Sequence, residues 1–252
     1  MSSESYIRND RPTVVLTGAS RGIGHATVAR FSNEGWRVIT CSREAVPPEC
    51  KRDPNWTHHI TADLGDRDDV ARFIDEAGDI LADGPVHALV NNAAFSPKTP
   101  FKERVGCLNG DMEEWRRVFE LNFFAPLALA RGFAVALRKG GGTIVNITSI
   151  AGHSTHPFAG SAYATSKAAL SALTRELAVE MAELGVRVNA VAPGEIETSM
   201  VGPEYESLIP RIPMHRMGTP DEVAGAVFQL CSPDFGYVTG SEIFVTGGQH
   251  LY

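Results

Sequence analysis

Thr13-Val14-Val15-Leu16-Thr17-Gly18-Ala19-Ser20-Arg21-Gly22-Ile23-Gly24 decides the fold. Its first five residues are β-branched or apolar and carry no charge, as in a strand buried on both faces. Glycines then fall at 18, 22 and 24, spaced GxxxGxG, and a helical pattern runs from Ile23 to Glu34. Glycine lets a backbone turn tightly and approach a ligand, while a helix N-terminus offers unpaired N–H groups and the positive end of its dipole. Strand, glycine turn and helix in that order suit the pyrophosphate of a dinucleotide, although the spacing is not the more familiar GxGxxG. Gly18, Ser20, Arg21, Gly22, Ile23 and Gly24 are therefore candidate cofactor-binding residues.

The same alternation continues outward from this unit. Short β-branched runs, most of them nearly all apolar, at Arg37 to Cys41, Thr57 to Thr61, Ala88 to Asn91, Thr143 to Thr148, Arg187 to Ala192 and Ile243 to Thr246 read as further strands. Helical periods fall between them at Arg67 to Ala82, Met112 to Arg138, Ala162 to Leu184 and Asp221 to Cys231. Strand and helix in turn over the whole length imply right-handed crossovers and an α/β fold with a doubly wound, mostly parallel seven-stranded sheet. Residues 1–12 are polar and read as a lead-in; residues 13–252 read as a single domain. Phe95 to Asp111 and Ser199 to Gly218 are rich in Pro and Gly, lack a period, and are long enough to suggest function.

Composition excludes several classes. The net charge of −7 argues against non-specific nucleic-acid binding, which needs a basic surface. No apolar run approaches the roughly 20 residues that span a bilayer. Residues 1–10 have neither the flanks nor the apolar stretch of a signal peptide or an anchor. The cysteines, Cys41, Cys50, Cys107 and Cys231, show no CxxC spacing, so reduced thiols, a cytoplasmic location and no metal site are expected.

Cofactor choice is read at the end of the second strand. An acidic residue there binds the ribose 2′-hydroxyl of NAD and repels a 2′-phosphate. Here the residues are Ser42 and Arg43, a hydroxyl donor and a guanidinium fork suited to phosphate. Arg21 can close from the glycine turn. NADP(H) is expected over NAD(H), with NAD(H) still possible.

Tyr163-Ala-Thr-Ser-Lys167 puts a phenol and an ammonium four residues apart, on one face of a helix. A phenol has a pKa of about 10, and a neighbouring cation lowers it, which makes the pair a tunable acid and base. Ser149, at a strand end just before this helix, offers a hydroxyl to a substrate oxygen. Pro126 lies four residues after Asn122 inside a helical pattern. It has no N–H for the Asn122 carbonyl, so a kink and a freed acceptor for water are expected.

These motifs occur together in an order and spacing similar to the compact branch of the short-chain dehydrogenase/reductase family, over nearly everything from Thr13 to Gly248. The resemblance implies a Rossmann-like three-layer sandwich and hydride transfer between a nicotinamide cofactor and a carbonyl or secondary alcohol. It implies Tyr163 as proton donor and base, Lys167 as its tuner and ribose anchor, Ser149 as oxyanion partner and Asn122 as water relay. It also implies adenine recognition by Asp63 with Leu64, a sheet brace and cleft wall at Asn91 and Ala93, and nicotinamide contacts from Pro193, Gly194, Ile196 and Thr198. The family's usual glycine after Ala93 is Ala94 here, a mild departure. A mobile substrate lid over 199–217, an opposite wall from Phe95 to Leu108, an apolar lining from Met200, Tyr205, Leu208, Ile209 and Phe158, and a homotetramer paired through long helices are further implications.

Alternatives at this point are an NAD-dependent sugar or polyol dehydrogenase and a non-catalytic dinucleotide-binding regulator. His153 and His156 are read as surface-loop histidines near the site, and Glu195 as a solvated carboxylate, with substrate contact the other reading for each. Asp66, Asp68 and Asp69 read as a helix start that complements the dipole.

Overall fold

The computed structural model describes residues 11–45, 53–98, 104–198 and 202–251. Cys50, Met200 and the first ten residues lie outside them. Seven strands form one sheet: β1 Thr13–Thr17, β2 Arg37–Ser42, β3 Trp56–Thr61, β4 Ala88–Asn91, β5 Thr143–Ile147, β6 Arg187–Pro193 and β7 Glu242–Val245. Their order is β3-β2-β1-β4-β5-β6-β7. Every pairing is parallel, which goes beyond the mostly parallel sheet expected.

The strands alternate with a period of two, and the two sets of side chains build two cores. Val15, Ile39, Leu89, Ile144 and Val188 belong to one, packed with Phe73, Leu129, Leu177 and Met181. Val14, Leu16, Val38, Val90, Val145 and Val191 belong to the other, with Val28, Phe31, Val223, Val227 and Leu230. The helices that cover these faces are α1 Gly22–Asn33, α2 Arg67–Leu81, α3 Met112–Phe119, α4 Ala125–Gly132, α5 Ala134–Gly140, α6 Ser161–Ala182 and α7 Pro220–Cys231. Helix, sheet, helix is the three-layer sandwich. Each layer needs the others because the central strands, β1, β4 and β5 among them, are buried along their whole length.

Two expectations about helices are corrected. The helix expected without a break over Met112 to Arg138 is divided. Between α3 and α4 the chain makes a π turn over Glu120–Phe124, where the Ala125 N–H reaches back to the Glu120 carbonyl. Pro126 has no N–H to continue an α ladder, so the extra residue is accommodated there. A second break falls at Phe133, between α4 and α5. Just before it, a Cβ on Gly132 would lie 2.7 Å from Ile74 Cδ1, so glycine lets α4 seat against α2. The 199–217 stretch is not all loop either: Pro203–Arg211 forms 3₁₀ turns. Tyr205, Leu208 and Met217 bury there with Phe158 and Ile209. Among the described residues, no single helix is long and apolar enough to cross a membrane.

Candidate active site

The sheet order reverses between β1 and β4, and β4 leaves β1 for β5. In an open parallel sheet that divergence opens a crevice at the carboxyl ends of the strands. A cleft of about 500 Å³ lies there. Its lining joins Gly18, Ser20, Arg21, Gly22, Ile23 and Gly24 from the glycine turn with Ser42, Arg43 and Leu64. It also includes Ala93 and Ala94, Ser149, Tyr163 and Lys167, and Pro193, Gly194, Ile196 and Thr198. Residues spread over 181 positions of chain thus share one surface.

The turn is built so that only glycine fits. Gly18 has φ +72°, and a Cβ on it would lie 2.8 Å from the Ala93 Cα. A Cβ on Gly24 would lie 2.0 Å from the Gly18 carbonyl oxygen. Asn92, absent from the sequence-based candidates, clamps this turn: its Nδ2 donates to both the Thr17 and Gly18 carbonyls at 3.0 Å. Thr17 Oγ1 in return accepts from the N–H groups of Asn92 and Ala93, each at 3.1 Å. Arg21, the N-cap residue of α1, makes no side-chain capping bond. Its first N–H groups and the cradle before them fit the pyrophosphate of a dinucleotide.

At the end of β2, Trp56 Nε1 donates to Thr40 Oγ1 at 2.6 Å, and Thr40 faces His59 Nδ1 at 2.8 Å. His59 Nε2 and Ser42 Oγ both bond the Glu44 carbonyl, at 2.9 and 2.6 Å. The Ser42 hydroxyl is therefore engaged in holding the turn that carries Arg43 and Glu44. Glu44 also lines the cleft and lies 3.8 Å from Arg21. Both partners are more than half exposed, and such a pair contributes at most about 1 kcal/mol, too little to fix Arg21 there.

At the other end, Ser149 Oγ accepts from the Ala151 N–H at 3.2 Å and caps the 3₁₀ turn Ile150–Gly152. It is also close enough to the Tyr163 hydroxyl to lower its pKa, so the turn-capping role and the approach to the phenol coexist. Lys167 is 1% exposed. Its Nζ donates to the Ile147 carbonyl at 2.6 Å and lies 5.7 Å from the Tyr163 ring centre. Burial pushes this amine down to about 7. The phenol is raised from its ordinary value, by burial first, against the pull of Ser149, with the Glu195 charge adding to the rise. Desolvation sets the direction at both groups, since it penalises a cation as it does a phenolate.

Three candidates stand outside the lining. Asn91 braces the sheet: its Nδ2 donates to Asn146 Oδ1 at 2.8 Å between β4 and β5. Asp63 turns to the Gly65 N–H at 3.0 Å and to Arg117 at 3.3 Å, because it closes the turn into α2. Asn122 is buried. Its side chain bonds both backbone groups of Phe95 and the Ser166 hydroxyl, so only its main-chain carbonyl can serve a relay.

The expected wall from Phe95 to Leu108 is realised by Ser96 and Lys98; Leu108 is fully exposed, and residues 99–103 lie outside the described set. Of the expected lid lining, Tyr205 reaches the cleft, whereas Leu208 and Ile209 pack behind it.

The larger correction concerns His156 and Glu195, which are neither superficial nor solvated. They are 8% and 5% exposed, line the cleft, and meet at 2.7 Å between Nε2 and Oε1. Their position beside Ser149, Tyr163 and Pro193-Gly194 was the available signal. Their pairing across 39 residues was not visible in the sequence.

Comparison with known proteins agrees with this geometry. A family model described as enoyl-(acyl carrier protein) reductase matches residues 18–250. Protein FixR of Bradyrhizobium diazoefficiens is 53% identical, with 97% of this chain and 88% of that protein covered. 3beta-hydroxysteroid dehydrogenase 1 of Eggerthella lenta is 35% identical over 95% of this chain and 94% of that one. The crystal structure of a short-chain dehydrogenase/reductase family oxidoreductase from Brucella ovis, in complex with a partially ordered NAD, superposes with a TM-score of 0.81. It is 47% identical and covers 94% of this chain and 100% of that one. The chain belongs to the short-chain dehydrogenase/reductase family. It is an oxidoreductase of that family.

Proposed function

We propose that the protein is an NADP(H)-dependent oxidoreductase interconverting a carbonyl and a secondary alcohol, with Tyr163 as general acid and base. The observation that carries this reading is a single cleft lined by Ser149, Tyr163 and Lys167 together with the glycine cradle of α1. A nicotinamide dinucleotide held by that cradle supplies the hydride in reduction and takes it in oxidation. Tyr163, a phenol and so protonated at neutral pH, gives its proton to the substrate oxygen in the reducing direction. Ser149 Oγ stabilises the charge that develops on that oxygen. Lys167, fixed at one N–H by the Ile147 carbonyl, turns its others to the ribose hydroxyls. An amine near 7 also returns a proton readily at neutral pH. Asn122 contributes its main-chain carbonyl, which Pro126 cannot engage, to water on the proton path.

Arg43 with Arg21 supports NADP(H), and the Glu44 carboxylate in the same lining favours NAD(H) as the second reading. Arg43→Ala is expected to raise KM for NADPH by about tenfold, the loss of a charge-assisted pair, and KM for NADH by less than about twofold. Steady-state kinetics with both cofactors reads this directly. Equal changes support the second reading.

We also infer a homotetramer paired through its long helices. Ala168, Ala172 and Val179 lie exposed along α6, and Phe124 is 45% exposed at the start of α4. Small and apolar residues in such rows admit close helix contact. Light scattering should give about four times the chain mass of 27.2 kDa; a monomer mass contradicts the assembly.

A further inference from the structure

The His156–Glu195 pair is the buried polar group that the proposed chemistry does not use. Its hydrogen bonds fix its state. His156 Nδ1 accepts from the N–H groups of Phe158 and Ala159, at 3.1 and 3.0 Å, so Nδ1 carries no proton. The ring proton is therefore on Nε2 and is donated to Glu195 Oε1 at 2.7 Å. Gln249 Nε2 donates to the same oxygen at 3.1 Å. With two donors on it, Oε1 is a filled acceptor. Oε2 has no hydrogen-bond partner among the described residues, and Glu195 lines the cleft.

The surroundings sharpen what that oxygen can do. Tyr205 of the lid lies 5.9 Å from the His156 ring and 4.8 Å from Phe158, centre to centre, which closes an aromatic cover over this end. Lys98, which lines the cleft, lies 4.9 Å over the Tyr205 ring and 3.5 Å from Glu204. It is thus committed to the lid. The charge of Glu195 reaches both Tyr163 and Tyr205. A fixed acceptor under an aromatic cover is costly to leave unpaired and repels a second anion.

We infer that Glu195, positioned by His156 and Gln249, selects the substrate: it accepts a hydrogen bond from a hydroxyl or ammonium next to the reacting carbon and rejects carboxylates there. This rests on the carbonyl-reducing function proposed above, and the test separates the two. Three ketones share one benzoyl group: 2-hydroxyacetophenone, propiophenone and phenylglyoxylate. The wild-type enzyme with NADPH or NADH should favour the hydroxyketone over propiophenone by about tenfold or more in kcat/KM, with phenylglyoxylate poorer still.

In Glu195→Leu the preference for the hydroxyl should collapse. Glu195→Gln keeps an acceptor for His156 and Gln249 and turns an N–H donor to the cleft. Its ratio of phenylglyoxylate to hydroxyketone should rise by about tenfold. The Gln variant is the nearly isosteric one, so it decides the matter if the Leu variant does not fold. Wild-type turnover without preference, or ratios unchanged in Glu195→Gln, overturns the selection role alone. No wild-type turnover of any of the three ketones overturns the carbonyl-reducing reading and the inference with it.

Discussion

Tyr163→Phe is expected to lower kcat about a thousandfold, within the 10²–10⁴ range of positioned acid–base catalysis, while the Kd for the dinucleotide changes less than about threefold. The substitution removes one oxygen from a half-buried ring whose remaining contacts stay in place. The lost hydroxyl is the atom that Ser149 and Glu195 influence, so the effect falls on chemistry and not on folding. Single-turnover hydride transfer, followed by nicotinamide absorbance, should slow by the same factor as kcat. Residual activity within tenfold of wild type would remove Tyr163 from the proton path.

Lys167→Met is expected to act in two opposite directions. Activity should fall about a hundredfold or more, through lost orientation of the ribose and of the proton path. Stability should rise at neutral pH. The Lys167 amine has a pKa of 10.5 when unfolded and about 7 when folded. Between those values the unfolded chain binds the proton more tightly, so this group makes stability increase with pH from about 7 to 10.5. Its favourable contribution is complete above the upper value and is lost as pH falls toward 7. Methionine fills the same channel without a charge to desolvate, so the variant should melt at least about 3 °C higher at pH 7. Its Tm should also lose the part of the rise between pH 7 and 10 that belongs to this amine. Differential scanning fluorimetry across that range tests both. A lower Tm with an unchanged pH slope would mean that the ammonium is stabilised where it stands.

The sheet was legible because its central strands are runs buried on both faces, and such runs have few alternatives in a chain of alternating elements. Boundaries moved by a residue or two: Ser42 extends β2, and Trp56 opens β3. The glycine turn, Ser149, Tyr163 and Lys167 were legible because spacing along one element fixes their neighbours. The π turn was half legible: Pro126 announces a fault in the helix, yet a missing N–H does not say whether the chain kinks, breaks or widens. At Asp63 the sequence leaves two uses open, because a carboxylate after a strand can face a ligand or close its own turn, and here the Gly65 N–H and Arg117 engage it. His156 and Glu195 were misjudged because burial in a cleft wall depends on the lid folding back, and the lid has no period to read. Asn92 was passed over because its amide acts on a turn 74 residues earlier, a relation that only strand order creates.

That last relation reaches beyond the site. The glycine turn is held by Asn92, Asn91 is tied to Asn146, and Asn146 donates to Thr174 at 2.9 Å in α6. These links join segments 75, 55 and 28 residues apart. The shape of the cradle is therefore a property of the closed sheet and not of the glycine-rich segment alone: the amide that clamps the turn is backed, through the neighbouring Asn91 and then Asn146, by β5 and α6.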